Sequence, residues 1–415
     1  MDLRSLNSLT AKGALGGIDR QRIHYLDWLK VLIVYGIFVY HVALVFVAST
    51  WLVSNHERSS LLSVFVAFCF PWGIPAMFLI SGADAFFGLR SHSAVNFVWK
   101  RVLRLVLPMI VGLILLSPYQ RFVTSHNPPP SLDQLPAFYA GFYRSFHFEW
   151  SMQWLSKYWL HLWFLGYLFA ISVACLPLLV KLRSDGGIRL TSTLVRIANL
   201  RGGLFLLALP LCALQLVLRP LFPAYQDWAD VATYSYVFMW GAMMFSDRRF
   251  EAAIRRDILL ILIAGAVAAI GSGYIFLTAH ERLSLTNTLA TPVTLTFSFF
   301  WTFEVWSWLL AVLYLGIRWL DFPNRVMAYL EESILPFYVL HHPVVLTVAS
   351  FVVTWDLGVW PKFFLILAIA GPITMAIYEF GVRRWPMTRA IFGLGPLPPR
   401  AFEARTPIPV EAPTL

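Results

Sequence analysis

Apolar stretches of about 20 residues or more recur from one end of the chain to the other, separated by polar connectors. A helix of about 20 residues rises about 30 Å, the thickness of a bilayer's hydrocarbon core. In that core every backbone N–H and C=O must find a partner within the protein, so such stretches are read as transmembrane helices. Spans are expected near 29–53, 60–89, 97–117, 159–181, 203–222, 231–246, 257–277, 293–319, 333–354 and 360–382. The second carries Pro71, Gly73 and Pro75 and is expected to bend or re-enter; the sixth is short. With 59% hydrophobic and 13% charged residues, the 415-residue chain cannot cover itself with polar surface, and its solvent must be largely lipid. The expected fold class is all-α: a polytopic integral membrane bundle of about ten transmembrane helices.

The cations test that count, because cytoplasmic loops retain Lys and Arg. Arg4, Lys12, Arg20 and Arg22 precede the first span; Arg90, Lys100, Arg101 and Arg104 sit at the junction of the second and third; Lys181, Arg183, Arg189, Arg196 and Arg201 fill the connection from the fourth to the fifth. Arg248, Arg249, Arg255 and Arg256 follow the sixth, Arg318 and Arg325 the eighth, and Arg383, Arg384 and Arg389 the tenth. The opposite loops hold only scattered cations, among them Arg58, Arg121, Arg144, Lys157, Arg219, Arg282 and Lys362. This alternation places both termini in the cytoplasm. The net charge of +10 then reads as topology plus attraction to anionic lipid, with no nucleic-acid signature.

Three regions follow: a cytoplasmic N-terminal segment 1–28, a transmembrane domain 29–392, and a Pro-rich tail 393–415 expected to be disordered. No cleavage after the first span is expected, nor a further extracytoplasmic domain after the last. The extracytoplasmic loop 118–158 is long and crowded with aromatics: Tyr139, Phe142, Tyr143, Phe146, Phe148, Trp150, Trp154 and Tyr158. Beside Arg144, Glu149 and Gln153 these rings could stack on sugars; the plainer reading is an interfacial aromatic belt. Cys69, Cys175 and Cys212 lie in apolar spans without metal-ligand spacing and read as buried small hydrophobes.

A lipid-facing chain advertises its site through the polar groups it tolerates at depth. Lys30 and His41 are eleven residues apart on the first span, nearly a whole number of turns, so they share a face about 16 Å apart along the axis. Lys30 is expected at the cytoplasmic surface, where Asp27 could pair with it, and His41 near mid-membrane. His341 and His342 stand in the ninth span before Pro343, which can kink the helix beside them. Arg101 and Arg104 are one turn apart at the start of the third span, suited to phosphate or pyrophosphate; the plainer reading is anchoring to lipid phosphate. Ser81, His161 and Ser333 are further polar interruptions, and Glu304 is an intramembrane carboxylate in need of a partner or a proton. For each histidine a helix-packing hydrogen bond is the competing reading.

Taken in order, Leu26-Asp-Trp-Leu-Lys30 followed by His41, Phe78-Leu-Ile-Ser-Gly82, Lys100-Arg-Val-Leu-Arg-Leu-Val-Leu-Pro108, His161-Leu-Trp-Phe-Leu165 and Tyr338-Val-Leu-His-His-Pro343 resemble the membrane acyltransferase-3 family over nearly the whole chain. Tyr378-Glu-Phe380 and Arg384-Trp-Pro386 bring it nearest to the glucans biosynthesis protein C branch, which succinylates periplasmic glucans. The resemblance implies a bacterial inner-membrane enzyme that moves an acyl group, succinyl or acetyl, from cytosolic acyl-CoA to a hydroxyl of an extracytoplasmic glycan. By position it implies His41 and His341 as catalytic and Lys30, Arg101 and Arg104 as acyl-CoA-binding; Asp27, Ser81, His161, Glu304, Ser333 and His342 are expected in support, Glu304 from its depth in the span and not from a family motif. The second imidazole, His342, leaves open which of the pair acts. No metal and no permanently bound cofactor is expected; succinyl-CoA or acetyl-CoA is the donor substrate, and homo-oligomerisation is left open.

In that reading His41 is a general base on the attacking hydroxyl, or carries the acyl group itself; His341 orients it, donates to the oxyanion, or binds the acceptor. An anionic succinyl tail would want a cation near His41, and none stands at that depth in the sequence, which counts against succinyl. The rival is a secondary transporter or flippase with an intramembrane His and Glu relay, against which the lack of a repeated half counts.

Overall fold

The computed structural model describes residues 23–47, 51–91, 93–126, 129–147, 149, 158–285 and 291–395. The N-terminal segment to residue 22, Phe148, Trp150, Gln153, Trp154, Lys157 and the tail beyond residue 395 lie outside the described residues, as do the side chains of Arg282 and Arg325. The described residues form helices and turns, with no strand among them.

In chain order the helices are α1 (His24–Leu44), α2 (Ser60–Ser91), α3 (Ala94–Val123), α4 (Leu135–Arg144), α5 (Trp163–Ala174), α6 (Leu176–Leu182) and α7 (Asp185–Ala198). There follow α8 (Gly203–Leu206), α9 (Leu209–Leu218), α10 (Trp228–Met244), α11 (Arg249–Ala279), α12 (Pro292–Trp319), α13 (Arg325–Val352), α14 (Val359–Val382) and α15 (Pro386–Ile391). Seven of these are long and apolar enough to cross a membrane, or eight if the broken pair running from Leu160 through α6 is one span. The expected count of about ten is therefore not reached by length and composition. The segment expected at 203–222 breaks into α8 and α9, because Pro210 cannot continue a helix and instead starts a new one. The segment expected at 231–246 is the 17-residue α10, which carries Asp230 in its first turn. Neither Pro71 nor Pro75 interrupts α2, a continuous helix of 32 residues, so the expected re-entry is not found.

On α11, Leu259, Ile263, Val267, Ile270, Tyr274 and Leu277 recur at three- and four-residue steps and all stand exposed. An apolar stripe of this length would be a severe liability in water and is the ordinary outer face of a helix in lipid. The chain is an integral membrane protein.

The chain divides into two compact units. The first comprises 1–40, 60–91 and 174–334; the second comprises 41–59, 92–173 and 335–415. In the first, α2 packs on α10, and α11 packs along α12. Hydrophobicity gives little drive for helix association within lipid, so small residues that admit close approach decide the pairing. At the α2–α10 crossing each helix contributes one: a Cβ added to Gly82 would lie 1.8 Å from the Phe238 carbonyl oxygen, and one added to Gly241 would lie 1.8 Å from that of Leu79. Phe78 and Tyr234 stack beside them, centroids 4.5 Å apart. Gly82→Ala is expected to force this crossing apart and lower stability by about 1–3 kcal/mol, read as an earlier thermal unfolding of the purified protein; an unchanged transition would show that the helices can yield there.

In the second unit α3 is the organising helix, with α4, the 3₁₀ turn at 160–162 and α15 packed on it. Residues 102–106 of α3 form a π-helical turn, and 377–382 of α14 another. Pro118 inside α3 lacks the N–H that the Ile114 carbonyl would otherwise receive. The Tyr143 hydroxyl of α4 donates to that carbonyl, and the Tyr139 hydroxyl to its neighbour Leu115 at 2.6 Å. Partial burial raises both phenols above their usual range, which keeps them protonated donors. The middle of the aromatic loop is thus a helix pinned to α3, with Tyr143 and Phe146 exposed along it.

Candidate functional site

The second unit brings four imidazoles together, from the end of α1, from α13 and from the turn before α5. His41 stands in the last turn of α1, not midway along the helix as the expected span 29–53 implied. His341 and His342 are adjacent on α13 and so point about 100° apart, one toward His41 and the other toward α3. His161 enters on the 3₁₀ turn before α5, directly after Leu160, whose φ of +47° is a left-handed conformation that a leucine adopts only under constraint.

Pro343 supplies a reason for the fourth imidazole. Lacking an N–H, it leaves the Val339 carbonyl of α13 without its helical donor, and His161 Nε2 takes that place at 3.0 Å. The Tyr338 hydroxyl answers by donating to the His161 carbonyl. Gly112 of α3 makes room for the turn: a Cβ there would sit 2.7 Å from Leu162 Cδ1. The rings are packed, with His161 stacked on His342 at 4.4 Å between centroids and His41 edge-on to His342 at 4.8 Å. His161, His341 and His342 are buried, whereas His41 is half-buried.

The hydrogen bonds assign the tautomers, since a carbonyl can only accept. His341 Nδ1 donates to the Phe337 carbonyl at 3.1 Å, so in the neutral ring Nε2 is bare. That bare nitrogen faces His41 Nδ1 at 2.9 Å, and two nitrogens so placed share one proton, which must therefore sit on His41 Nδ1. The lone pair of His41 is left on Nε2. A second chain runs in parallel: His342 Nδ1 donates to Gln120 Oε1, whose amide nitrogen donates to the Leu116 carbonyl at 3.1 Å. His161 Nδ1 has no hydrogen-bond partner among the described residues. Of the two histidines before Pro343, it is His341 that meets His41.

The arginines Arg101 and Arg104 also belong to the second unit and flank the start of the π-helical turn of α3. Arg101 lies over the Phe97 ring at 5.2 Å, and Arg104 is exposed. Gly393, at φ +62°, brings the chain after α15 against the Arg104 backbone, 2.8 Å from where a Cβ would stand to its Cα. The remaining expected residues lie in the first unit. Lys30 is paired as expected with Asp27 at 3.2 Å, and also with Asp84 at 2.9 Å, so its charge is already compensated. Ser333 bonds the Tyr35 hydroxyl at 3.0 Å. Ser81 adjoins the Gly82 crossing, and Glu304 accepts from the Ser272 hydroxyl at 2.5 Å.

Four participants were not singled out from the sequence. Gln120 lies beyond residue 117, where the apolar run of the third span ends, but α3 continues to Val123. Asp84, the lone acid between Phe78 and Phe87, was visible as an ionisable group in an apolar run. Lys362 reads in the sequence only as one of the scattered cations of the opposite loops, and Trp51 carries no such signal. Among the described residues no group of three or more His, Cys, Asp or Glu is arranged to hold a metal ion.

An all-helical membrane protein in which one imidazole donates to another and keeps a lone pair on its second ring nitrogen has the makings of a group-transfer catalyst. The chain belongs to the acyltransferase-3 family, described as an acyltransferase domain, whose profile matches residues 23–379; it is a membrane acyltransferase. It is similar to glucans biosynthesis protein C of Escherichia coli O157:H7 (strain EC4115 / EHEC), with 22% identity over 402 residues covering 92% of this chain and 96% of the relative. The protein of that name from Escherichia coli O157:H7 is similar to the same extent. No solved structure matches the chain.

Proposed function

We propose that the protein is a bacterial inner-membrane O-acyltransferase that moves an acyl group from cytosolic acyl-CoA to a hydroxyl of an extracytoplasmic glycan. The observation that carries this reading is the proton chain from His41 Nδ1 through His341 to the Phe337 carbonyl, which leaves His41 Nε2 as a base. Nε2 takes the proton of the acceptor hydroxyl as the oxygen attacks the thioester carbon. The C–S bond then breaks, the sulfur leaves with the electron pair, and the imidazolium returns its proton to the thiolate. His341 acts on His41 by holding its ring and its tautomer, as the third member of a nucleophile–base–orienter set does. Attack by Nε2 itself, giving an acyl-histidine, uses the same lone pair. Arg101 and Arg104 are suited to the donor's phosphates, since a π-helical turn presents side chains off the regular helical register and Arg104 reaches solvent. Lys30, eleven residues before His41 on α1, brings a charge already shared by two carboxylates, and a phosphate there would have to displace Asp84. The relative's name, glucans biosynthesis protein C, supports a glucan as the acceptor; succinyl is taken as the acyl group from the family resemblance alone, with acetyl as the competitor.

The test is release of free CoA by the purified protein from succinyl-CoA and acetyl-CoA, with and without a glucan. Release that depends on both donor and glucan is expected, and the faster thioester names the acyl group. No release across a panel of donors and glycans would overturn the reading.

A further inference from the structure

The strap that follows α1 is built around two buried polar side chains. The Asn55 backbone donates to the Val45 carbonyl at 2.8 Å, that of Ser59 to Phe46 at 2.9 Å, and the Arg58 guanidinium to Val47 at 2.9 Å. These bonds satisfy the carbonyls of the three residues that follow the helix carrying His41. Asn55, 1% exposed, turns its amide nitrogen to the Glu57 carbonyl and its oxygen to Lys362 Nζ, at 2.9 and 3.0 Å. Lys362, 6% exposed, also donates to the Val353 carbonyl at 3.0 Å, just past the end of α13. One buried ammonium thus ties the strap to the end of the helix bearing His341 and His342, at the terminus where a cation is favoured.

What the strap carries is Trp51. Its indole lies nearly parallel to the His41 ring, centroids 5.9 Å apart and planes at 15°, and edge-on to His342 at 5.5 Å. His41 needs such walls. It sits in a final helical turn, and rotation about the imidazole's last torsion is a broad well that does not by itself fix the ring plane in which Nδ1 reaches His341.

We propose that Trp51 is a positioning residue for His41, and that the Lys362–Asn55 clasp sets its place. The indole face and the His342 edge hold the imidazole in one plane, the plane in which Nδ1 meets His341 at 2.9 Å and Nε2 is presented to the reactants. The catalytic part of this inference rests on the acyl-transfer reading above; the tautomer part does not.

The test uses the full-length protein with Trp51→Phe, Trp51→Ala, Lys362→Met and the Trp51→Ala/Lys362→Met double variant, each checked for monodisperse elution. Trp51→Ala is expected to lower kcat about 10- to 100-fold, the loss that a misplaced reacting group produces, with KM for both substrates little changed. Trp51→Phe keeps a flat face and should stay within about threefold of wild type. Lys362→Met should reproduce part of the alanine defect and add nothing to it in the double variant, as expected of residues acting through one contact. Independently of turnover, nitrogen NMR of histidine-labelled protein, assigned by loss of the His41 signal in His41→Gln, should show His41 protonated at Nδ1 in wild type and a tautomer mixture in Trp51→Ala. An unchanged tautomer, or a defect confined to acceptor KM, would overturn the positioning role; additive losses in the double variant would overturn the clasp. A wild type that turns over no donor would refute the acyl-transfer reading, while the nitrogen spectrum would still decide whether Trp51 holds His41.

Discussion

Replacing His41 with alanine is expected to lower acceptor-dependent CoA release by about 10²- to 10⁴-fold, the range that removal of a general base produces. The loss should appear in kcat, because the imidazole acts on the attacking hydroxyl and not on the binding of either substrate. The same variant separates the two chemical routes. If the acyl group passes through histidine, a labelled donor given without acceptor leaves label on denatured wild-type protein and none on His41→Ala. If transfer is direct, neither retains it. Activity in His41→Ala close to wild type would remove the imidazole from the chemistry altogether.

The second large effect is expected at His341, and it should distinguish that residue from its neighbour. His341→Ala removes the acceptor for the His41 Nδ1 proton and with it the preference for a bare Nε2, so a fall in kcat of about 10²- to 10³-fold is expected, of the kind seen when a catalytic imidazole loses its tautomer. Glutamine offers a carbonyl oxygen at similar reach, so His341→Gln should recover part of the loss. His342 faces Gln120 and touches His41 only by its ring edge, and His342→Gln should cost about tenfold or less. Equal defects at the two positions would mean that the cluster acts as a packed unit, without a directed proton chain.

The membrane-spanning character was legible because lipid imposes it residue by residue: an apolar run of bilayer length has one stable conformation. The number of spans was less so, since 203–222 has the apolarity of a span but breaks at Pro210 into α8 and α9. All four histidines of the cluster stand out as polar groups in apolar runs, and their spacing in the sequence says nothing of their meeting, which depends on helices about 120 to 300 residues apart. Gln120 is hidden because α3 outlasts its apolar run by six residues, and Trp51 because nothing marks one tryptophan among 17. Asp84 shows the opposite case: its signal was present, and only the position of Lys30 in space gives it meaning. The motif at His161 was noticed as an interruption, but what it serves, the carbonyl released by Pro343, is visible only when both helices are seen together.

That carbonyl and the one released by Pro118 show a common device. A helix in lipid is outwardly uniform, and greasy surfaces do not tell one neighbour from another. A proline converts one turn into a socket, an acceptor that has lost its own donor, and only a partner carrying an N–H or O–H at the right height can fill it. In the second unit Tyr143 fills one socket and His161 the other, so the sequence encodes which segments belong side by side through the bonds its prolines decline to make. Restoring the N–H by Pro343→Ala would close the socket from within and set the histidine adrift, which makes that proline as much a part of the site's assembly as the imidazoles beside it.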